Sequence, residues 1–137
     1  STIVNLVSKP AILRFGGLEI SKIQKELKRK ISINTNSKKN IAPGLLPLHY
    51  SPGIPLRTNI KNPKNNEAFL LIKKRKIKSK NYYYLSKKSD LKQAAKNLYS
   101  FLRKVKKKGY KEIAVEKIPN IGIGKTINDR LKRASKY

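Results

Sequence analysis

An α/β fold is what this sequence predicts, on three observations. From Glu67 onward the chain reads strand, strand, helix, strand, helix, the alternation of a sheet covered by helices. Its longest periodic segment sets Leu91, Ala94, Ala95, Leu98, Leu102 and Val105 at three- and four-residue steps, one buried face of a helix. The 137 residues, 38% hydrophobic, suffice for one ordinary domain or for a small domain plus a fragment of another, and exclude two full enzyme domains.

Taken in order, STIVNL alternates and is rich in β-branched residues, AILRF after Pro10 reads as a second short strand, and SKP between them as a turn. Gly16 and Gly17 end that strand. Ser21 can cap a helix over 22–30 with Ile23 and Leu27 on one face, which leaves a small strand-and-helix remnant without a partner sheet. Residues 31–64 carry neither helical nor strand periodicity, and a run of that length inside a compact domain is usually a linker or a lid. Within it, IAPGLLPLHYSPGIPLRT (41–58) holds four prolines, two glycines and a single formal charge. The expected division is therefore a remnant at 1–33, a Pro/Gly linker at 34–65 and an α/β domain at 66–137. In that last part EAFLLIKK and NYYYLS read as strands joined by KKRKIKSK as a hairpin connection, Ser89 caps a helix over 90–108 that Gly109 stops, EIAVEKI is a buried strand, and INDRLKRASKY is a final helix.

Thirty-four basic residues against seven acidic give a formal net charge of +27, which invites phosphate partners. Most of the excess is lysine, alongside many Asn and Ile, so much of it reads as compositional drift on solvated faces. Without cysteine there is no disulfide framework and no thiolate metal site, and with His49 as the one histidine a protein-only zinc site is not expected. No apolar run reaches the roughly 18–20 residues of a membrane span, and no signal-peptide layout opens the chain, so the cytoplasm is the expected location. A chain without methionine that begins inside a strand is expected to be the tail end of something longer.

Two motifs near the end fail on spacing. IPNIGIGKTINDRL contains GKT, but a P-loop needs glycine at position 119, which is Pro119, and a dinucleotide fingerprint needs glycine at 127, which is Ile127. A glycine turn that lets backbones pack closely is the better reading, with Asp129 and Arg130 pairing with surface neighbours. KKRKIKSK, with six basic residues in eight, could contact phosphate or simply be solvated. Of Tyr82, Tyr83 and Tyr84 at least one should pack inward, and a base-stacking platform stays open. The seven carboxylates are scattered and no nucleophile–base pair is defensible, so no catalytic residue is assigned.

Three separated stretches resemble one family. STIVNL followed by ILRFGG resembles the end of the YrdC-type catalytic domain of L-threonylcarbamoyladenylate synthase; APGLLPLHYSP resembles its interdomain linker; and AAKNLYSFLRKVKKKGYKEIAVEKIPNIGIGKTINDRLKRAS resembles the carboxy-terminal domain of its long, two-domain form. The resemblance implies the end of a YrdC-like α/β domain, an extended linker and a small Rossmann-like α/β domain. It implies a part in making threonylcarbamoyl-AMP and pyrophosphate from L-threonine, bicarbonate and ATP, for tRNA threonylcarbamoyladenosine modification.

It further implies that the Ser1 hydroxyl helps to bind L-threonine and the Arg14 guanidinium meets ATP, roles suited to a hydroxyl and to a planar five-donor fork. Mg2+ would come with ATP rather than occupy a protein site. The proline-stiffened linker would fold over the pocket mouth as a lid, with Tyr50 and His49 reaching the nucleotide and Leu45, Leu46 and Leu48 excluding water from a hydrolysable carbamate and anhydride. Phe15 stands where the family commonly has proline and Asn5 where it has aspartate, and the family's amino-terminal ATP motifs have no counterpart in these residues. Activity is therefore not expected from this chain alone: either a separate YrdC-type amino-terminal half completes the site, or the chain is a truncated product without activity. The alternative is a small basic RNA-binding or ribosome-associated protein without catalysis.

Overall fold

The computed structural model describes residues 1–7, 9–35 and 51–135 and arranges them as two sheets. The first holds β1 (Ile3–Asn5), β2 (Ala11–Arg14) and β3 (Ser32–Ile33), with β1 antiparallel and β3 parallel to β2. The β1–β2 register slips between Ile3 and Val4: Val4 lies opposite Ile12, but Ile3 lies opposite Arg14. An extra residue of this kind bends the strand and re-aims its side chains. Between β2 and β3 runs helix α1 (Ile20–Leu27), which starts ahead of the expected 22–30. Its N-cap is Glu19 rather than Ser21, and it ends where Lys28 turns into the left-handed region.

The second sheet is wholly parallel, with β4 (Leu56–Arg57), β7 (Ile113–Val115), β5 (Ala68–Leu71) and β6 (Tyr82–Tyr84) side by side in that order. Two findings depart from expectation. Within 34–65, where a linker was expected, Leu56–Arg57 forms the edge strand beside β7. The stretch 72–81 is no hairpin, because β5 and β6 run parallel with Phe69 opposite Tyr82 and Leu71 opposite Tyr84. The burial explains the pairing: all four residues of β5 are buried, and a strand covered on both faces suits the interior of a parallel sheet.

Helix α2 (Leu91–Lys107) joins β6 to β7, and α3 (Ile123–Ala134) follows β7. Ala94, Leu98, Leu102 and Val105 of α2 are buried with Ile123, Ile127, Leu131 and Ala134 of α3 against Ala68, Leu70, Ile113 and Val115. Both helices therefore cover one face of the sheet, and each large side chain buried there contributes about 1.5–3 kcal/mol. On the other face Phe69, Leu71 and Ala114 are covered by Ile60, Tyr82 and Tyr84. Asp90, not Ser89, caps α2: its carboxylate accepts from the Lys92 backbone N–H at 2.9 Å, while the Ser89 hydroxyl donates to the Ile72 carbonyl. Gly109, at φ 92°, terminates the helix as expected.

Candidate functional site

The β1–β2 bulge sets Arg14 beside the start of β1, and its Nε donates to the Ser1 carbonyl at 3.0 Å. Ser1 is exposed and Arg14 half-buried. The guanidinium groups of Arg14 and Arg130 both lie near Ser1, so two cations converge on this corner. Arg130 belongs to α3, where its Nη1 donates to the Ala95 carbonyl and its guanidinium lies over the Tyr99 ring.

What holds this corner on α3 is a set of contacts the sequence reading missed. The Gly16 N–H donates to the Thr2 hydroxyl at 3.0 Å, and that hydroxyl donates to the Leu18 carbonyl at 2.9 Å. A Cβ at Gly16 would stand 2.0 Å from the Thr2 nitrogen, so the backbones are too close for any side chain. The buried Thr126 hydroxyl donates to the Gly16 carbonyl at 2.6 Å. One turn on, Asp129 accepts from Arg133 Nε at 3.2 Å with both side chains 8% exposed, and Arg133 Nη2 donates to the Thr35 carbonyl. Thr126, Asp129, Arg130 and Arg133 are spaced three and four apart, a polar stripe that could have marked a second packed face of α3.

GKT lies in the first turn of α3 rather than in a loop before it. A Cβ at Gly124 would fall 1.8 Å from the Pro119 carbonyl oxygen, so close backbone packing is its role. The Glu19 carboxylate lies beside Gly122, the N-cap of α3, where it meets the positive end of the helix with the protein's own charge. His49 and Tyr50 lie outside the described residues, as do Leu45, Leu46 and Leu48. Among the described residues no group of three His, Cys, Asp or Glu could hold a metal ion, and no helix is long and apolar enough to cross a membrane.

Two buried carboxylates bracket the parallel sheet, Glu67 just before β5 at its amino end and Glu116 just after β7 at its carboxyl end. Glu67 is fully buried, accepts from Arg57 Nε at 3.0 Å and from the Lys64 N–H at 2.8 Å, and pairs with Arg57 Nη2. The Arg57 guanidinium holds the Glu67 carboxyl below the usual carboxylate range against the opposing effect of burial. Glu116 accepts from the Ile72 and Lys73 N–H groups and from Arg75 Nη2 at 3.0 Å, locking the turn after β5 to the end of β7. With every acceptor so engaged, these groups serve the fold.

Around the small first sheet apolar side chains stand exposed beside Lys22, Lys25 and Glu26. Leu6 is 62% exposed and Leu18 54%, and with Val4, Ile23 and Leu27 they line a hollow of about 510 Å³ between β1 and α1. No residue of α1 is buried, so a helix with an apolar face stands uncovered among the described residues.

A comparison with curated proteins finds no match. Among solved structures the chain is similar to the Sua5 protein of P. abyssi complexed with L-threonine, at a TM-score of 0.81 and 24% identity over 98% of this chain and 45% of that one. It is also similar to a variant of that protein with an adjacent histidine and tyrosine replaced by alanine, at a TM-score of 0.75 and 22% identity over 98% of this chain and 44% of the other. These likenesses establish the fold, and the chain spans less than half the length of either structure. The family model described as threonylcarbamoyl-AMP synthase, C-terminal domain, matches residues 15–136. From Phe15, just past the end of strand β2, through helix α3, then, this chain belongs to the threonylcarbamoyl-AMP synthase C-terminal domain family.

Proposed function

We propose that this chain is the carboxy-terminal portion of a threonylcarbamoyl-AMP synthase, contributing Ser1, Arg14 and a linker lid to a pocket that a YrdC-type amino-terminal half completes. The observation that carries this reading is the hydrogen bond from Arg14 Nε to the Ser1 carbonyl at 3.0 Å, between residues 13 apart in sequence that the antiparallel pairing of β1 and β2 brings together. A serine just before β1 and an arginine on neighbouring β2 suit an amino acid next to a nucleotide: a hydroxyl donates and accepts, and a guanidinium grips phosphate or carboxylate oxygens in a fork. The L-threonine bound by the P. abyssi relative supports threonine as the ligand at Ser1.

The uncovered apolar face supports dependence on another half. Leu6, Leu18, Ile23 and Leu27 have the character of one side of a core, and a YrdC-type half would bury them. ATP and bicarbonate are the remaining substrates in this reading. Mg2+ would travel on the ATP phosphates in this reading. His49 and Tyr50 form an adjacent pair like the one replaced in the P. abyssi variant, and in this reading they close over the nucleotide from the Pro/Gly linker.

Nucleotide binding tests the reading. Reconstituted with a YrdC-type half, the chain should bind ATP in a manner little affected by raising salt, and Arg14→Ala and Tyr50→Phe should each weaken it by about tenfold, the loss of one charge-assisted or neutral hydrogen bond. Binding that vanishes with salt, or that neither substitution changes, contradicts the assignment.

A further inference from the structure

Two stretches that the synthase reading leaves unused meet in one place. The basic run 73–80 and the tyrosines of β6 line a hollow of about 450 Å³, on the sheet face opposite α2 and α3. Tyr83 points to the helix-covered core, which puts Tyr82 and Tyr84 together on the other face, both half-buried. Their rings are fixed. Tyr82 stands edge-on to Phe69 at 5.5 Å, and the Tyr84 hydroxyl accepts from the Arg75 N–H at 3.0 Å. Arg75 is itself held by Glu116 and the Lys61 carbonyl, with its guanidinium over the Phe69 ring.

Around this aromatic floor stand Lys74, Lys78 and Lys87, all exposed. None of the three is in an ion pair, and no carboxylate lines the hollow among the described residues. A solvated lysine loop accounts for the charge alone. It does not account for two immobilised rings set beneath three unpaired ammonium groups, in a concavity of ligand-pocket size.

We propose that this hollow binds single-stranded nucleic acid, with an unpaired base against Tyr82 and Tyr84 and the flanking phosphates on Lys74, Lys78 and Lys87. Rings offer a stacking surface to any base, and lysines bind phosphates by displacing counterions, which together give sequence-tolerant, salt-sensitive binding. A duplex hides its base faces, so the geometry selects a single strand. The site is separate from the Ser1–Arg14 corner, and loss of nucleic-acid binding and loss of synthase activity are distinct failures.

The test is fluorescence anisotropy of the full chain with a labelled, unstructured RNA of about twelve nucleotides, titrated at several salt concentrations. Lys74→Ala/Lys78→Ala/Lys87→Ala should weaken binding by about tenfold or more and flatten the log–log salt slope by about 2, at ~0.7 per single-strand phosphate contact. Tyr82→Leu keeps an apolar cover on Phe69 and should weaken binding by about fivefold to a hundredfold while leaving the salt slope unchanged. Lys92→Ala/Lys96→Ala/Lys107→Ala removes the same charge from exposed positions of α2 and should change affinity far less. Equal losses from the two lysine triples would overturn the proposal in favour of diffuse charge. Duplex binding as tight as single-strand binding, or binding confined to free AMP, would overturn it too.

Discussion

Glu67 has no exposed surface and yet carries a charge, because Arg57 grips both its oxygens and the Lys64 N–H adds a third hydrogen bond. Its carboxyl is held below its ordinary range, so its contribution to stability is complete above the unfolded carboxylate value of about 4.3 and is lost as pH falls through the lower, folded one. Thermal unfolding followed from pH 7 into acid should show Glu67→Gln with a lower Tm at pH 7, and the gap to the parent protein closing below pH 4 or so. A gap that stays constant would mean that Glu67 contributes shape rather than charge. Neighbouring glycines give a sharper contrast. Gly16→Ala forces a methyl group onto the Thr2 backbone and should cost about 1–3 kcal/mol, while Gly17→Ala meets nothing within 4 Å and should stay within about 0.5 kcal/mol, both read by urea denaturation. None of this was legible beforehand. In sequence Gly16 and Gly17 are one turn signal, and only the approach of Thr2 and Thr126 separates them.

At the scale of elements, periodicity served where a whole face repeats. The three- and four-residue steps of Leu91 to Val105 gave α2 nearly its full length, because those side chains meet the sheet and little else competes. Leu98→Ala should therefore cost about 2–5 kcal/mol, with Asp90→Ala, which removes the cap, costing about 0.5–2 kcal/mol, in the same denaturation experiment. A smaller loss at Leu98 than at Asp90 would contradict the packing. Ends and pairings were less legible. Ser89 looks like a cap, but its backbone lies at φ 56° and its hydroxyl is taken by Ile72, so the duty passes to Asp90. The connection 72–81 reads as a hairpin because nothing local encodes strand direction; that is decided by β7, which pairs with β5 on its other side. Two-residue strands such as β3 and β4 carry no periodicity at all and exist only because a neighbour offers them a ladder.

Across the whole molecule, two sheets of unequal completeness are tied together by α3, which buries Ile127 and Leu131 toward one and gives Thr126 and Arg133 to the residues of the other. The larger sheet is covered by helices on one face and by its own tyrosines and Ile60 on the other; the smaller leaves Leu6, Leu18 and α1 uncovered. The family was readable from three stretches in order, and the proximity of Ser1 to Arg14 follows from two short strands joined by a turn, whereas the register slip that sets Arg14 opposite Ile3 is announced by no spacing. The uncovered face of the smaller sheet is the physical support for the proposal that these residues form part of an adenylate-forming pocket completed by a YrdC-type amino-terminal half. The most direct test is pyrophosphate release in the presence of ATP, bicarbonate and L-threonine. The account predicts no release from this chain alone, threonine-dependent release once a YrdC-type amino-terminal half that is inactive by itself is added, and a loss of about tenfold or more with Arg14→Ala. Turnover by the isolated chain, or a reconstituted pair indifferent to Arg14, would contradict it.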